Sequence, residues 1–239
     1  MTTEQRVAPS DSVALIDWDG TIRSGFTIQE WISFLARKEL LPASARESLQ
    51  PGFRSYDHGE ISHDQLAERT AQEYARMMKG TRAREILAAA GEFVREDGAR
   101  LQETPSKVLQ LLLERGFSVV VVSGAPLEVL EEYARRWGFA EVHGLELETR
   151  DGVYTGRVKS NPGTTTAKRE LADTISRRMN TRIRVAMGNS PSDEPLFAAA
   201  PVAVVVGDMQ PVSASTVVRP GSADAIRRIT ELIEKGGTR

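Results

Sequence analysis

The sequence predicts an α/β fold in which a mainly parallel sheet is covered by helices on both faces and a helical segment is inserted after the first strand. Three observations predict it. Apolar runs rich in valine and isoleucine recur at Val13 to Ile16, Phe117 to Val122, Ile183 to Met187 and Val202 to Val206, the pattern of strands buried on both faces. Amphipathic stretches with helix-start signals separate the later runs, and such alternation implies parallel strands joined by crossover helices. Between Gly25 and about Arg100, by contrast, no convincing strand occurs.

Taken in order, the first run, Val13-Ala14-Leu15-Ile16, ends at Asp17. Ile28 to Leu40 carries Ile28, Trp31, Ile32, Phe34 and Leu35 at helical spacing, and Ser62 to Met78 and Ala83 to Phe93 also favour helix. Thr104-Pro105 opens a helix that ends near Gly116, and Pro126 starts another that Gly138 closes. Val142 to Val158 reads as two short strands joined by Asp151-Gly152, a dipeptide suited to tight hairpin turns. Helices over Thr164 to Met179, Asp193 to Ala199 and Ser222 to Glu234 complete a three-layer α/β/α, Rossmann-like core with a mainly parallel sheet. The expected division is a discontinuous core, 11–24 and 101–239, and a helical cap, 25–100. Disorder is expected only at the ends.

The composition narrows the function classes. At 239 residues the chain suits one core with an accessory element. Lysine and arginine number 31 against 33 acidic residues, with no block of like charge, so nucleic acid and membrane are not expected partners. No apolar run approaches a bilayer span and Met1 to Ser10 is polar, so a cytoplasmic location is expected. The absence of cysteine excludes disulfides and thiolate chemistry.

In an open parallel sheet, ligands bind beyond the carboxyl ends of the strands. Three runs release polar residues there: Asp17-Trp18-Asp19-Gly20-Thr21, Ser123-Gly124, and Gly188-Asn189-Ser190 with Asp193 beyond. Lys168 lies early in the helix before the last of these strands. Taken singly, each is as well explained as a turn, a helix cap or a surface charge. Together they supply what phosphate chemistry needs. Two carboxylates one residue apart at a strand end provide a hard oxygen site for Mg²⁺ with a nucleophile and a proton donor. Ser123, on a tight turn into the helix begun by Pro126, offers a hydroxyl and backbone N–H groups to phosphate oxygens, and Lys168 adds a fixed positive charge. Asn189 and Asp193 complete or orient the metal shell.

In this order the motifs resemble those of the haloacid dehalogenase superfamily, particularly its phosphoserine phosphatase-like branch. Asp17-Trp18-Asp19-Gly20-Thr21 is similar to the nucleophile motif, Ser123-Gly124 to the second, Lys168 to the third, and Gly188-Asn189-Ser190-Pro191-Ser192-Asp193 to the fourth. Gly152-Val153-Tyr154-Thr155-Gly156 is similar to a hairpin segment of that branch. The resemblance implies a phosphomonoesterase acting on a small soluble phosphate ester, with Mg²⁺ as cofactor. Asp17 and Asp19 are then catalytic, as nucleophile and as acid and base; Ser123, Gly124 and Lys168 bind phosphate; and Asp17, Asp19, Asn189 and Asp193 hold the metal. Two alternatives stay open, a phosphotransferase that uses the same aspartyl-phosphate and a non-catalytic phosphate-ligand binding protein.

Two departures bear on substrate and metal. Asn189 stands where the family usually has aspartate, which implies weaker magnesium binding. Phe26 stands where phosphoserine phosphatases place a glutamate for the substrate ammonium, and Glu68 where a cap arginine is expected, with Arg69 one place later. Poor turnover of phosphoserine is therefore expected. Phe26, Arg54 and Tyr56 are the candidates for contact with substrate from the cap; Trp31 reads as helix packing, and His58 and His63 as exposed residues without a role.

Overall fold

The computed structural model describes residues 12–179, 182–214, 216–221 and 224–235. The expected disorder of the ends, the start of the core at residue 11 and the start of the last helix at Ser222 lie outside them. Strand β1 (Ser12–Ile16) is central. It pairs in parallel with β2 (Ser118–Pro126) on one side and β5 (Arg182–Gly188) on the other. With β3 (Glu141–Arg150), β4 (Val153–Ser160), β6 (Val202–Val205) and β7 (Thr216–Val218), the order is β4-β3-β2-β1-β5-β6-β7. Only the β3–β4 pairing is antiparallel. Asp151 and Gly152 both take positive φ, 53° and 75°, in the turn that joins them.

Alternation along β1 divides the core. Ala14 and Ile16 enter one apolar cluster, where they meet Val108 and Leu109 of α5 (Glu103–Glu114), Val129 of α6 (Leu127–Trp137) and Ile229 of α9 (Ala225–Lys235). Val13 and Leu15 enter the other, with Ala172 and Ile175 of α7 (Thr165–Met179) and Leu196 of α8 (Glu194–Ala198). Helices on both faces make three layers.

Between β1 and α5 lie α1 (Thr27–Arg37), α2 (Ala45–Asp57), α3 (His63–Met78), α4 (Ala83–Glu96) and a 3-10 turn, Asp97–Arg100. Ser62 caps α3 reciprocally: its Oγ accepts from Gln65 N, and its own N–H donates to Gln65 Oε1. The sequence reading contains neither α2 nor β7. Pro51 and Gly52 inside α2 hide it, because proline removes a helical hydrogen bond and its buried stripe is only Ala45, Leu49 and Phe53. Buried polar contacts tie this cap to the core. Arg23 donates to both oxygens of Asp97 at 2.7 Å, and Tyr133 of α6 donates to the same carboxylate at 2.8 Å. Trp31 Nε1 donates to Tyr74, which donates to Glu128 of α6. The loop from α3 to α4 exchanges backbone hydrogen bonds with β4, Gly80 N to Tyr154 O and Tyr154 N to Thr81 O.

Candidate active site

The carboxyl end of β1 is where the strand order reverses, with β2 on one side and β5 on the other. Asp17 extends the ladder, its N–H donating to Met187 O at 2.9 Å. Trp18 then turns into the core, fully buried against Tyr133 at 4.5 Å between ring centroids. Because Trp18 takes the inner side, Asp17 and Asp19 line one cavity of about 180 Å³ under the cap. Gly20 is required by backbone and neighbour alike: its φ is +77°, and a Cβ there would lie 2.3 Å from Asn189 Nδ2.

Lys168, one turn into α7, is 2% exposed and places Nζ 2.8 Å from Asp17 Oδ1 and 2.5 Å from Asp193 Oδ1. Burial alone would lower its pKa, but the two carboxylates outweigh that and hold the ammonium above its ordinary range. Burial likewise raises the Asp17 carboxyl well above the usual carboxylate range, against the pull of Lys168. The Asp19 carboxyl is pushed up to about 6 by burial, opposed by Thr27, whose N–H and hydroxyl both donate to its Oδ1. Asp19 thereby also satisfies the first amide of α1.

Asp193 is 0% exposed and organises the loop after β5. Its Oδ2 accepts from Asn189 N, Ser190 N and Ser190 Oγ, while its Oδ1 faces Lys168. Asn189 reaches back toward β1: the Thr21 hydroxyl lies 3.1 Å from Asn189 Oδ1 and 3.0 Å from Asp17 Oδ2.

Residues 14–198 match the sequence profile of the haloacid dehalogenase-like hydrolases, most of the chain. The protein belongs to that family. Among curated proteins, none matches the sequence. Among solved structures, this hydrolase is similar to a protein of unknown function from Bordetella pertussis Tohama I, with 22% identity, 93% of this chain and 96% of that one covered, and a TM-score of 0.67. It is also similar to a probable phosphoserine phosphatase from Vibrio cholerae, with 20% identity over 92% of this chain and 64% of that one and a TM-score of 0.64. A phospho-aspartyl intermediate analogue of phosphoserine phosphatase shows 19% identity over 92% and 97% and a TM-score of 0.61. These likenesses establish the shared fold.

In this haloacid dehalogenase-like hydrolase, Asp17, Asp19, Ser123, Gly124, Lys168 and Asn189 all line the cavity. Asp193 lies behind them, spent on protein donors. Ser123 and Gly124 do not sit on a turn into a helix, as their sequence suggests, because β2 runs on to Pro126 and α6 begins at Leu127. The close approach of two backbones explains the glycine: a Cβ on Gly124 would meet Gly163 Cα at 3.1 Å, and one on Gly163 would meet Gly124 Cα at 2.9 Å.

On the cap side, Phe26 and Tyr56 line the cavity. Arg54 does not; it is exposed on α2, as are Glu68 and Arg69 on α3. Trp31 is buried against Phe34 and Phe93. His58 is exposed, but His63 is a correction: it lines the cavity, because the first turn of α3 docks over the loop before α7. There Asp64 Oδ1 accepts from Thr165 N and Oγ1, each at 3.0 Å, and Asn161 Nδ2 donates to Ala67 O. Its only signal in the sequence was a place one residue after the Ser62 cap, which says nothing about what α3 faces. No helix among the described residues is long and apolar enough to cross a membrane.

Proposed function

We propose that this hydrolase is a magnesium-dependent phosphomonoesterase that carries the phosphoryl group on Asp17. The observation that supports it most is the pairing at one cavity wall of an Asp17 carboxyl held by Lys168 with an Asp19 carboxyl that burial pushes up to about 6. A nucleophile fixed by a cation and a proton donor poised near neutrality are the two groups phosphoryl transfer to and from a carboxylate requires.

The donor set suits a hard cation. Asp17 Oδ2 and Asn189 Oδ1 both converge on the Thr21 hydroxyl, which has one proton for two acceptors. Asp17 offers the set its anionic oxygen, and the Asn189 amide and a backbone carbonyl offer neutral ones. Asp17, Asn189 and the backbone carbonyl of Asp19 would hold Mg²⁺, with Asp193 orienting the Asn189 loop. When bound, the ion supplies positive charge to the phosphate oxygens.

A carboxylate oxygen of Asp17 attacks phosphorus and the bond to the ester oxygen breaks, while Asp19 gives its proton to that oxygen. Asp19, now ionised, takes a proton from water, whose oxygen attacks the phosphorus of the aspartyl-phosphate; phosphate leaves and Asp17 is restored. Lys168 and Ser123 hold phosphate oxygens in both steps. Magnesium-dependent phosphate release from an aryl phosphate, abolished in Asp17→Asn and weakened at least about 100-fold in Asp19→Asn with an alkyl ester, tests the reading. Undiminished hydrolysis by Asp17→Asn overturns it.

A further inference from the structure

We infer that the site selects phosphate esters of compact, uncharged and mainly apolar alcohols, and that His63 receives a single hydrogen-bonding group on the alcohol. This rests on the phosphatase reading and names its substrate class. Among the described residues that line the cavity, the charges are Asp17, Asp19 and Lys168, all at the sheet edge. The wall from the cap, where the alcohol portion lies, is built from Phe26, Ile28, Phe53, Tyr56 and Leu66.

The rings of this wall pack on one another. Phe26 lies 5.0 Å from Phe53 and 6.4 Å from Tyr56 between centroids. The rings are tilted against one another, by 57° and 83°. A carboxylate or ammonium on the alcohol would lose water here and meet no side chain of opposite charge among the cap residues that line the cavity. The size is also restrictive, since about 180 Å³ must hold phosphate and alcohol together, below the roughly 300–1,000 Å³ of pockets for drug-sized ligands.

His63 is the polar side chain that the cap adds to the Tyr56 and Thr70 hydroxyls. Its Nδ1 is buried without a hydrogen-bond partner, with the edge of its ring against Tyr56. The nearest carboxylate oxygen, Asp64 Oδ1 at 4.0 Å, already accepts from Thr165. Burial and the Lys168 ammonium hold the imidazole below its ordinary pKa, so at neutral pH it offers a hydrogen bond and no charge. A histidine that lines the cavity with one ring nitrogen left unsatisfied by the protein discriminates in favour of a ligand that completes its hydrogen bonding.

The test compares butyl phosphate with its terminally hydroxylated, aminated and carboxylated counterparts, measured as kcat/KM with magnesium. The two neutral esters should exceed both charged ones by at least about 100-fold, and the hydroxylated ester should exceed butyl phosphate. His63→Phe should remove the hydroxyl advantage and His63→Gln should keep it, which separates hydrogen bonding from packing. Phe26→Glu should raise the aminated ester relative to the rest. Turnover of all four esters at similar rates, or preference for a charged one, overturns the inference and leaves the phosphatase reading standing. A hydroxyl advantage that survives in a folded His63→Phe overturns the assignment of His63. No turnover of any ester, aryl phosphate included, overturns the phosphatase reading itself.

Discussion

Lys168 Nζ lies 2.8 Å from Asp17 Oδ1 with both side chains buried, so the Asp17 carboxyl is held by a cation that water does not screen. The same ammonium touches Asp193. Two carboxylates therefore share one lysine, and removing it leaves both without a counter-charge.

Lys168→Met should cost about 3–5 kcal/mol of stability, the usual loss when one partner of a buried ion pair is removed. The sign with pH follows from the carboxylates. The Asp17 carboxyl, already raised by burial in the folded state, rises further above its unfolded value without Lys168, so the variant is closest to the parent at low pH and falls behind as pH rises. Denaturant unfolding at about pH 5 and about pH 8 checks this. An equal loss at both would show that Asp17 and Asp193 do not bear the charge.

Asp19, with its carboxyl raised to about 6 by burial, should be protonated below that value and ionised above it. Single-turnover phosphorylation of Asp17 by an alkyl ester should therefore be bell-shaped in pH, lost on the acid side as Asp17, held up to about 7 by burial, gains a proton and on the alkaline side as Asp19 loses its own. Asp19→Asn should remove the alkaline limb and impair alkyl esters more than an ester with a good leaving group, which needs no proton. An alkaline limb that persists in Asp19→Asn would assign the titration elsewhere.

Asn189→Asp adds a negative charge beside the Thr21 hydroxyl that Asp17 shares. The magnesium concentration for half-maximal activity should fall on the order of 10-fold, as expected when a neutral oxygen donor becomes anionic. An unchanged requirement would place Asn189 outside the metal shell.

Gly163→Ala puts a Cβ 2.9 Å from Gly124 Cα, a contact that only backbone movement relieves. The expected cost is about 1–3 kcal/mol. Because Gly163 leads into the helix that carries Lys168, kcat should fall more than stability alone explains. A conservative check is Gly152→Ala, where no atom lies within 4 Å of the added Cβ but φ is +75°; it should cost stability and leave kcat near the parent value.

The sequence shows the β1 strand and the hairpin turn at Asp151-Gly152 because each is local: an apolar run, and a pair of residues tolerant of positive φ. Helix α2 was hidden because Pro51 and Gly52 argue against a helix that packing of Leu49 and Phe53 nevertheless holds. The third residue of β7 is buried and its first two are half-buried, and three residues carry too little periodicity to read. Ser123 was read as following the apolar run of β2, but the extension of β2 past it depends on pairing with β3.

By itself, then, the sequence determined which chemical groups stand at the ends of the strands, since strand ends follow from where apolar runs stop. Asp17, Asp19 and Asn189 were legible in that way, and Lys168 from its place early in the helix before β5. Only the tertiary structure decided what surrounds the substrate. Arg54 and His63 differ in exposure because of the faces on which α2 and α3 pack, and no local pattern states which face meets a cavity formed by segments a hundred residues apart. The arginine went to solvent and the histidine to the cavity, through contacts such as Asp64 with Thr165 that exist only once the chain has folded.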